Sequence, residues 1–358
     1  MSNDGSSAHP WGSLASIIQA GKLPPSSGAV VHAGDVIKLL SGNHGSISIT
    51  NAVNTDFVTI EAASGQTPVI SGLNMSGSSH WIIKGLTVQQ PNNSNYIMGM
   101  RVGSSDNIIL TGNSISSQSD VSAWTQADWQ SKALFYAINV DGSCLTITQN
   151  QIKNIQFGIG IDGTSISVTG NTIDHFGDDG IDFGQGSGSG TIGNIEISHN
   201  TITNNLDLGD GNHNDGIQGW VLNGTTGSNV VIDSNTVIAK LDSTLPWPGS
   251  MQGISEFDGA WNGIQIINNV VICSLYHGIS LYGAQNSSII NNTVFGIFTE
   301  PNGDVNDTWI GVFNGKDSAA PSVIVRNNVT SMVNVVAGAT ADHNISTTTP
   351  QNYFVQFD

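Results

Sequence analysis

The sequence predicts an all-β solenoid, a parallel β-helix of short strands, and three observations carry that expectation. First, an alternating apolar stretch that ends in Asn and two or three more apolar residues returns along the chain. It reads NIILTGNSI at 107–115, LTITQNQI at 145–152, ISVTGNTI at 166–173, IEISHNTI at 195–202, VVIDSNTV at 230–237, IQIINNVV at 264–271, SIINNTV at 288–294 and VIVRNNV at 323–329. Second, a Gly-Ile strand follows most of these: FGIGIDG at 157–163, DDGIDFG at 178–184, NDGIQGW at 214–220, QGISEFDG at 252–259 and HGISLYG at 277–283. Third, helical patterning is nearly absent, and the 43 Gly fall largely at turns. Internal repeats of this size indicate coils that bury their apolar faces against one another.

Each repeat builds its elements locally. Before the shared Asn, apolar and polar residues alternate, as Ile195 and Ile197 do with Glu196 and Ser198, which is the period of a half-buried strand. The Asn recurs at Asn113, Asn150, Asn171, Asn200, Asn235, Asn269, Asn292 and Asn328, at spacings of 21 to 37 residues, so the surplus over the shortest unit must be loops. Stacked about 4.8 Å apart, these Asn would form an internal hydrogen-bonded ladder, with left-handed turn geometry at the Asn itself. The expected organisation is an N-terminal segment and cap over 1–30, the solenoid over 31–345, and a C-terminal tail over 346–358. Loop insertions fall near 114–135, 204–214, 238–251 and 298–308.

Composition narrows the setting. The formal net charge is −18, from 9 Lys+Arg against 27 Asp+Glu, which argues against nucleic acid and anionic membranes as partners and leaves sugars or cations. No stretch approaches the roughly 18 apolar residues of a membrane span, and MSNDGSSAHPWGS shows no signal peptide. Cys144 and Cys273 stand 129 residues apart in different coils and read as core or wall residues, not as a disulfide.

The segments AGDVIKLLSG, VTIEAASG and WIIKGLTV resemble the opening coils of the right-handed β-helix polysaccharide-processing proteins, the pectin-lyase-like group. That group includes polygalacturonases, alginate and chondroitin lyases, mannuronan epimerases and phage tailspike depolymerases. The resemblance implies a single-stranded right-handed parallel β-helix that takes a polysaccharide substrate. It also implies an extracellular or virion-associated setting, with a homotrimer where the tailspike likeness holds.

Chemistry concentrates where the repeat becomes polar. Aligned on Gly158, Gly180, Gly216, Gly253 and Gly278, the preceding residues are Phe157, Asp179, Asp215, Gln252 and His277. The residues two after are Gly160, Asp182, Gln218, Ser255 and Ser280. With the intervening Ile pointing inward, this second column should face solvent as a polar groove. Asp179 and Asp215 on adjacent coils, with Asp182 beside them, would share protons as acid/base chemistry on a glycosidic bond requires. Carboxyl separations of about 5–5.5 Å suit retention and about 6.5–9.5 Å inversion, and sequence leaves that choice open. GDDGID, HNDGIQ and YHGIS are similar to polygalacturonase motifs, with the first two in reversed order and no Arg-Ile-Lys segment following. The resemblance implies catalytic roles for Asp178, Asp179 and Asp215, with His277 as a modulating partner; Asp182 and His213 complete the candidate set.

Candidate sugar-binding residues are Gln218, Trp220, Tyr276, Tyr282, Trp247 and His175, with Trp124, Trp129, Trp261 and Trp309 as further aromatics near loops and strand ends. The loop DLGDGNHNDG offers Asp207, Asp210 and Asn212 as oxygen ligands for Ca2+, although Val221 stands where an EF-hand needs its bidentate Glu. Hydrolysis itself would need no cofactor. The expected activity is therefore glycoside hydrolysis of an extracellular or capsular polysaccharide. A polyuronate lyase or C5-epimerase using calcium is one alternative, and a non-catalytic spike or sugar-binding module is another. A lyase needs a cation and a base at the groove; Arg101 lies three coils from Asp182, Lys153 is at a turn, and Tyr136 is among the available bases.

Overall fold

In the computed structural model, residues 3–90, 97–185, 192–221, 225–296, 308–316 and 319–347 are described. They form 31 strands in one continuous network of parallel pairings. From Thr172 onward each coil has three strands, and each strand pairs with its counterpart one coil later. Thr172–Phe176 pairs with Thr201–Asn205, Ile181–Gln185 with Asn214–Val221, and Ile192–Ser198 with Thr226–Asp233. This is a parallel β-helix with three sheet faces around one core.

The core consists of inward columns in register. Ile159, Ile181, Ile217, Ile254, Ile279 and Ile310 stack through successive coils, each fully buried. Removing such columns from water is the main favourable term in folding, at roughly 25 cal/mol per Å² of apolar surface. At the N-terminal end the short helix Leu14–Gln19 packs Leu14 and Ile17 over the first coil. The first regular strand is Val36–Leu39 and the last is Ile345–Ser346.

The Asn ladder is present and extends one rung beyond the sequence expectation, to Asn344. Each ladder Asn from Asn113 to Asn328 donates its backbone and side-chain N–H to the Oδ1 of the next, at 2.8–3.0 Å. Each also donates to a backbone carbonyl of the preceding coil, as Asn200 does to Val168 at 2.8 Å. The left-handed residue is not the Asn but the one before it: Gly112, Gln149, Gly170, His199, Ser234, Asn268, Asn291, Asn327 and His343 all have positive φ. The turn residue swings the chain so that the following Asn points inward, where its amide replaces ladder bonds that the bent backbone cannot make.

One insertion carries a helix of its own, Gln126–Lys132, opened by a Thr125–Asp128 capping box. Its Trp129 joins Leu206, Leu208 and Leu245 in a satellite apolar cluster outside the solenoid. The expected insertion at 298–308 and the tail at 346–358 lie almost wholly outside the described residues. Among the described residues no helix is long and apolar enough to cross a membrane. Cys144 is exposed at a left-handed corner and Cys273 is fully buried; both are free thiols.

Candidate active site

The predicted register of the polar wall is the observed one. Asp182 pairs with Gly160 and Gln218, Gln218 with Ser255, and Ser255 with Ser280, while Asp215 pairs with Gln252. A glycine at the corner decides where the carboxylates point. A Cβ on Gly180 would lie 2.5 Å from Ile202 Cγ2, and one on Gly216 would lie 2.3 Å from Val237 Cγ1. Both glycines therefore face the core, as do Ile181 and Ile217 beside them. The chain bends between each pair, so Asp179 and Asp215 lie on the Asp182 and Gln218 side of the wall, where both are buried, at 5% and 0% exposed.

The cluster is tied together by direct bonds. Asp215 N–H donates to Asp179 Oδ1 at 2.8 Å, and His213 Nδ1 lies 3.0 Å from Asp215 Oδ2. The Tyr136 hydroxyl donates to Asp182 Oδ2 at 2.9 Å, crossing the intervening coil at Gly160. A side chain at Gly160 would stand 2.7 Å from Tyr136 Cε1, so the glycine makes that reach possible. Asp182 Oδ1 and Asp215 Oδ1 are buried and meet no donor at full hydrogen-bond geometry, while the Trp220 indole approaches the Asp182 carboxylate and the Ser255 hydroxyl that of Asp215. Asn205, fully buried, pins both ends of the site: it donates to the carbonyls of Phe176 and Asp178 and accepts from the Asn214 amide at 2.7 Å.

Burial governs the protonation of these groups. Asp179 is raised well above the ordinary carboxylate range, first by desolvation and then by Asp215 and Asp182. Asp182 is raised to about 6 by burial, with the Tyr136 hydroxyl opposing. Asp215 is raised by burial and opposed by His213, whose own affinity for a proton rises through the bond to Asp215. Asp178 rises to about 6, again through desolvation, against the amide of Asn212 that donates to its Oδ1 at 2.7 Å. Two desolvated carboxylates on adjacent coils resist double ionisation, and burial with two acidic neighbours favours the protonated form of Asp179.

The second column does not face open solvent as expected. Asp182 is 8% exposed, and Ser255 and Ser280 are fully buried, because neighbouring coils and side chains cover the wall. Open access lies beside it, in a cleft of about 550 Å³ lined by Gln130, Phe135, Gln156, Phe157, Asp178 and Asn212. Phe157 stacks on Tyr136 with ring centroids 4.8 Å apart, so an aromatic pair forms the N-terminal shoulder of the carboxylates.

The other candidates divide. Gln218 and Trp220 continue the strand from Asp215, and Trp220 pairs across to Gly184 and Asp258. His277 stands two coils from Asp215, about 10 Å by strand spacing, too far to modulate it by a direct bond. Its ring packs at 4.3 Å from Tyr276 and 4.5 Å from Trp309, and burial lowers its pKa to about 4. Tyr282 packs on Phe313 one column over. Trp247 and Trp124 pack on the satellite cluster around Trp129, and Trp261 is a core residue against Phe183; none of these four belongs to the acidic wall. His175 lies between Asp174 and Asp242 in a separate cleft.

Asp207 and Asp210 accept from the amides of Gly209 and Asn212 in local turns, while Asn212 turns its NH2 to Asp178. Among the described residues no three His, Cys, Asp or Glu side chains form a metal-binding group.

Sequence reasoning missed Glu256. It occupies an inward position, between Gly219 and Leu281 in the column, is 1% exposed, and has both carboxyl oxygens without a hydrogen-bond partner. Burial and then Asp215 raise its pKa well above the ordinary range. The signal was an acidic residue at a position of the repeat that Ile161, Phe183 and Leu281 fill with apolar side chains.

No family sequence model and no characterised sequence relative matches this chain. Solved structures do. The DFA-IIIase of Arthrobacter chlorophenolicus A6 without its lid aligns over 92% of this chain and 88% of its own, at 13% identity and TM-score 0.55. The A-module of mannuronan C-5 epimerase AlgE6 from Azotobacter vinelandii covers 88% of this chain and 91% of its own, at 13% identity and TM-score 0.51. The Dettilon tailspike protein is matched over 87% of this chain but only 58% of the tailspike, at 13% identity and TM-score 0.46. The first two of these likenesses show the fold, a parallel β-helix shared with those structures.

Proposed function

We propose that the protein is a glycoside hydrolase acting on a neutral polysaccharide. The observation that carries this reading is the in-register Asp179, Asp182 and Asp215 set, joined by the Asp215 N–H to Asp179 bond, with Tyr136 and His213 directed at the other two carboxylates. In this reading Asp179 protonates the departing glycosidic oxygen. Asp215, oriented by His213, takes a proton from the water that attacks the anomeric carbon. Asp182, held by Tyr136, accepts a sugar hydroxyl and sets the field that keeps Asp179 protonated. Asp178 faces the cleft through which the chain would enter.

The charge pattern favours a neutral substrate over a polyuronate. Arg101 is held by Asp141, Lys132 by Asp128 and Lys316 by Asp258, and Lys153 lies near the start of its strand, before Gly160 and in register with Asp174. A lyase or epimerase must neutralise a uronate carboxylate, and these paired cations leave little charge for it. The β-helix neighbours, a DFA-IIIase and a mannuronan C-5 epimerase module, are in keeping with a carbohydrate substrate. The test is product chemistry: reducing ends released from neutral polysaccharides, without the ultraviolet absorbance of an unsaturated sugar, and lost in Asp179→Asn. Turnover should be the same with added calcium and with chelator.

A further inference from the structure

A second cleft, of about 500 Å³, lies on the far side of the helix Gln126–Lys132 from the acidic one. Ala127, Gln130 and Ser131 of that helix line the acidic cleft, whereas Trp129, with Trp124 just before the helix, lines this one. Its volume falls within the range of about 300–1,000 Å³ common for small-molecule sites.

The cleft is built by one column of left-handed corner residues. Asn154, His175 and Asn204 occupy equivalent corners of three successive coils, each with positive φ. Asn154 donates to the Gln118 carbonyl and so anchors the loop that carries Val121 and Trp124. Asn204 accepts from the amides of Leu241 and Asp242 at 2.7 Å each, anchoring the loop that carries Pro246 and Trp247. His175, on the coil between them, lines the cleft and faces Asp242 of the second loop. Its Nδ1 is 2.9 Å from Asp174 Oδ2, while its Nε2 is 3.6 Å from Asp242 Oδ2, beyond direct hydrogen-bond length, which leaves both groups capacity to bond ligand hydroxyls beside them.

We propose that this cleft is a second saccharide-binding site for one or two neutral sugar units, separate from the acidic wall. Trp124 and Trp247 supply aromatic surface for the C–H faces of a ring, and His175 and Asp242 supply the donor and acceptor for adjacent hydroxyls. An anionic sugar would meet Asp120 and Asp242 in the lining and is disfavoured. The inference rests on the carbohydrate reading given above. It adds that a polymer gripped on one side of the helix is held while its cut portion occupies the other.

The test uses full-length Asp179→Asn protein, so that substrate is not consumed, with ring resonances of His175 and His213 followed during titration with neutral gluco- and fructo-oligosaccharides. The expected result is saturable shifts at both histidines. Trp247→Ala should weaken the His175 response at least tenfold and leave that of His213 in place. Asp242→Asn, in an exposed turn, should give the same selective loss if Trp247→Ala disturbs folding. Shifts at His213 alone overturn the second site and spare the hydrolase reading. Shifts at His175 alone, in a wild-type protein without turnover, sustain the cleft and overturn the hydrolase reading. Silence at His175 across the panel contradicts the proposal.

Discussion

At the scale of single residues, the acidic wall trades stability for protonation control. Asp182 has a pKa near 6 in the folded protein, above the ordinary carboxylate value of 3.8. The folded state therefore binds its proton more tightly than the unfolded chain. Stability falls as pH rises from about 4 to about 6 and stays lower above that window. Asp182→Asn should remove this slope and raise stability at neutral pH by up to roughly 3 kcal/mol, read from denaturant unfolding at pH 5 and pH 7.5. Tyr136→Phe removes the hydroxyl that favours the ionised form, so the Asp182 titration should move upward, visible in its side-chain carbon shift. Gly160→Ala should push Tyr136 off Asp182 and cost about 1–3 kcal/mol by overpacking. The acidic trio was legible in the sequence because Asp before Gly and Asp two after an inward Ile fall in register. Its concealment was not legible, since burial by Tyr136 and the loops depends on residues more than a coil away.

At the scale of elements, the Asn ladder and the corner glycines hold the strands in register and so place the carboxylates. Asn200 accepts two bonds from Asn171 and donates to Val168 and Asn235. Asn200→Ala would leave buried backbone groups unsatisfied on both sides, for an expected loss of about 2–4 kcal/mol in chemical denaturation. Asn344→Ala, at the last rung, should cost less because only one neighbour depends on it. Eight of the nine rungs were readable from the repeat. Asn344 escaped because the strand before it, Ala339–Asp342, has lost the apolar alternation that marks the others. The left-handed turn was assigned to the wrong member of the pair, since Asn favours that conformation in general; here the inward Asn is needed for its amide, and its predecessor takes the strain. The aromatic loops were harder still. Trp124, Trp129 and Trp247 are indistinguishable in sequence from sugar platforms, and only the fold shows that Trp129 is the centre of an apolar cluster with Leu206, Leu208 and Leu245.

At the scale of the whole molecule, a parallel β-helix lets a one-dimensional stack of coils carry a linear array of side chains, suited to a polymer laid across it. Carboxylates held by cations or backbone donors, such as Asp128 at about 2 and the lowered Asp141 and Asp174, lose their stabilising ionisation as pH falls below about 4. The raised group, Asp178, Asp179, Asp182, Asp215 and Glu256, acts in the opposite sense above that pH. The thermal midpoint should therefore peak near pH 4 and decline toward neutrality, and a midpoint still rising from pH 6 to pH 8 would contradict these assignments. The central claim is that the Asp179, Asp182 and Asp215 set cleaves glycosidic bonds. Its most direct test compares reducing ends released from a panel of neutral polysaccharides by the wild type and by Asp179→Asn. The account predicts hydrolysis by the wild type and a loss of about 10²–10⁴-fold in the variant, with oligosaccharide binding retained. Equal turnover by the two proteins, or an unsaturated product from the wild type, would contradict it.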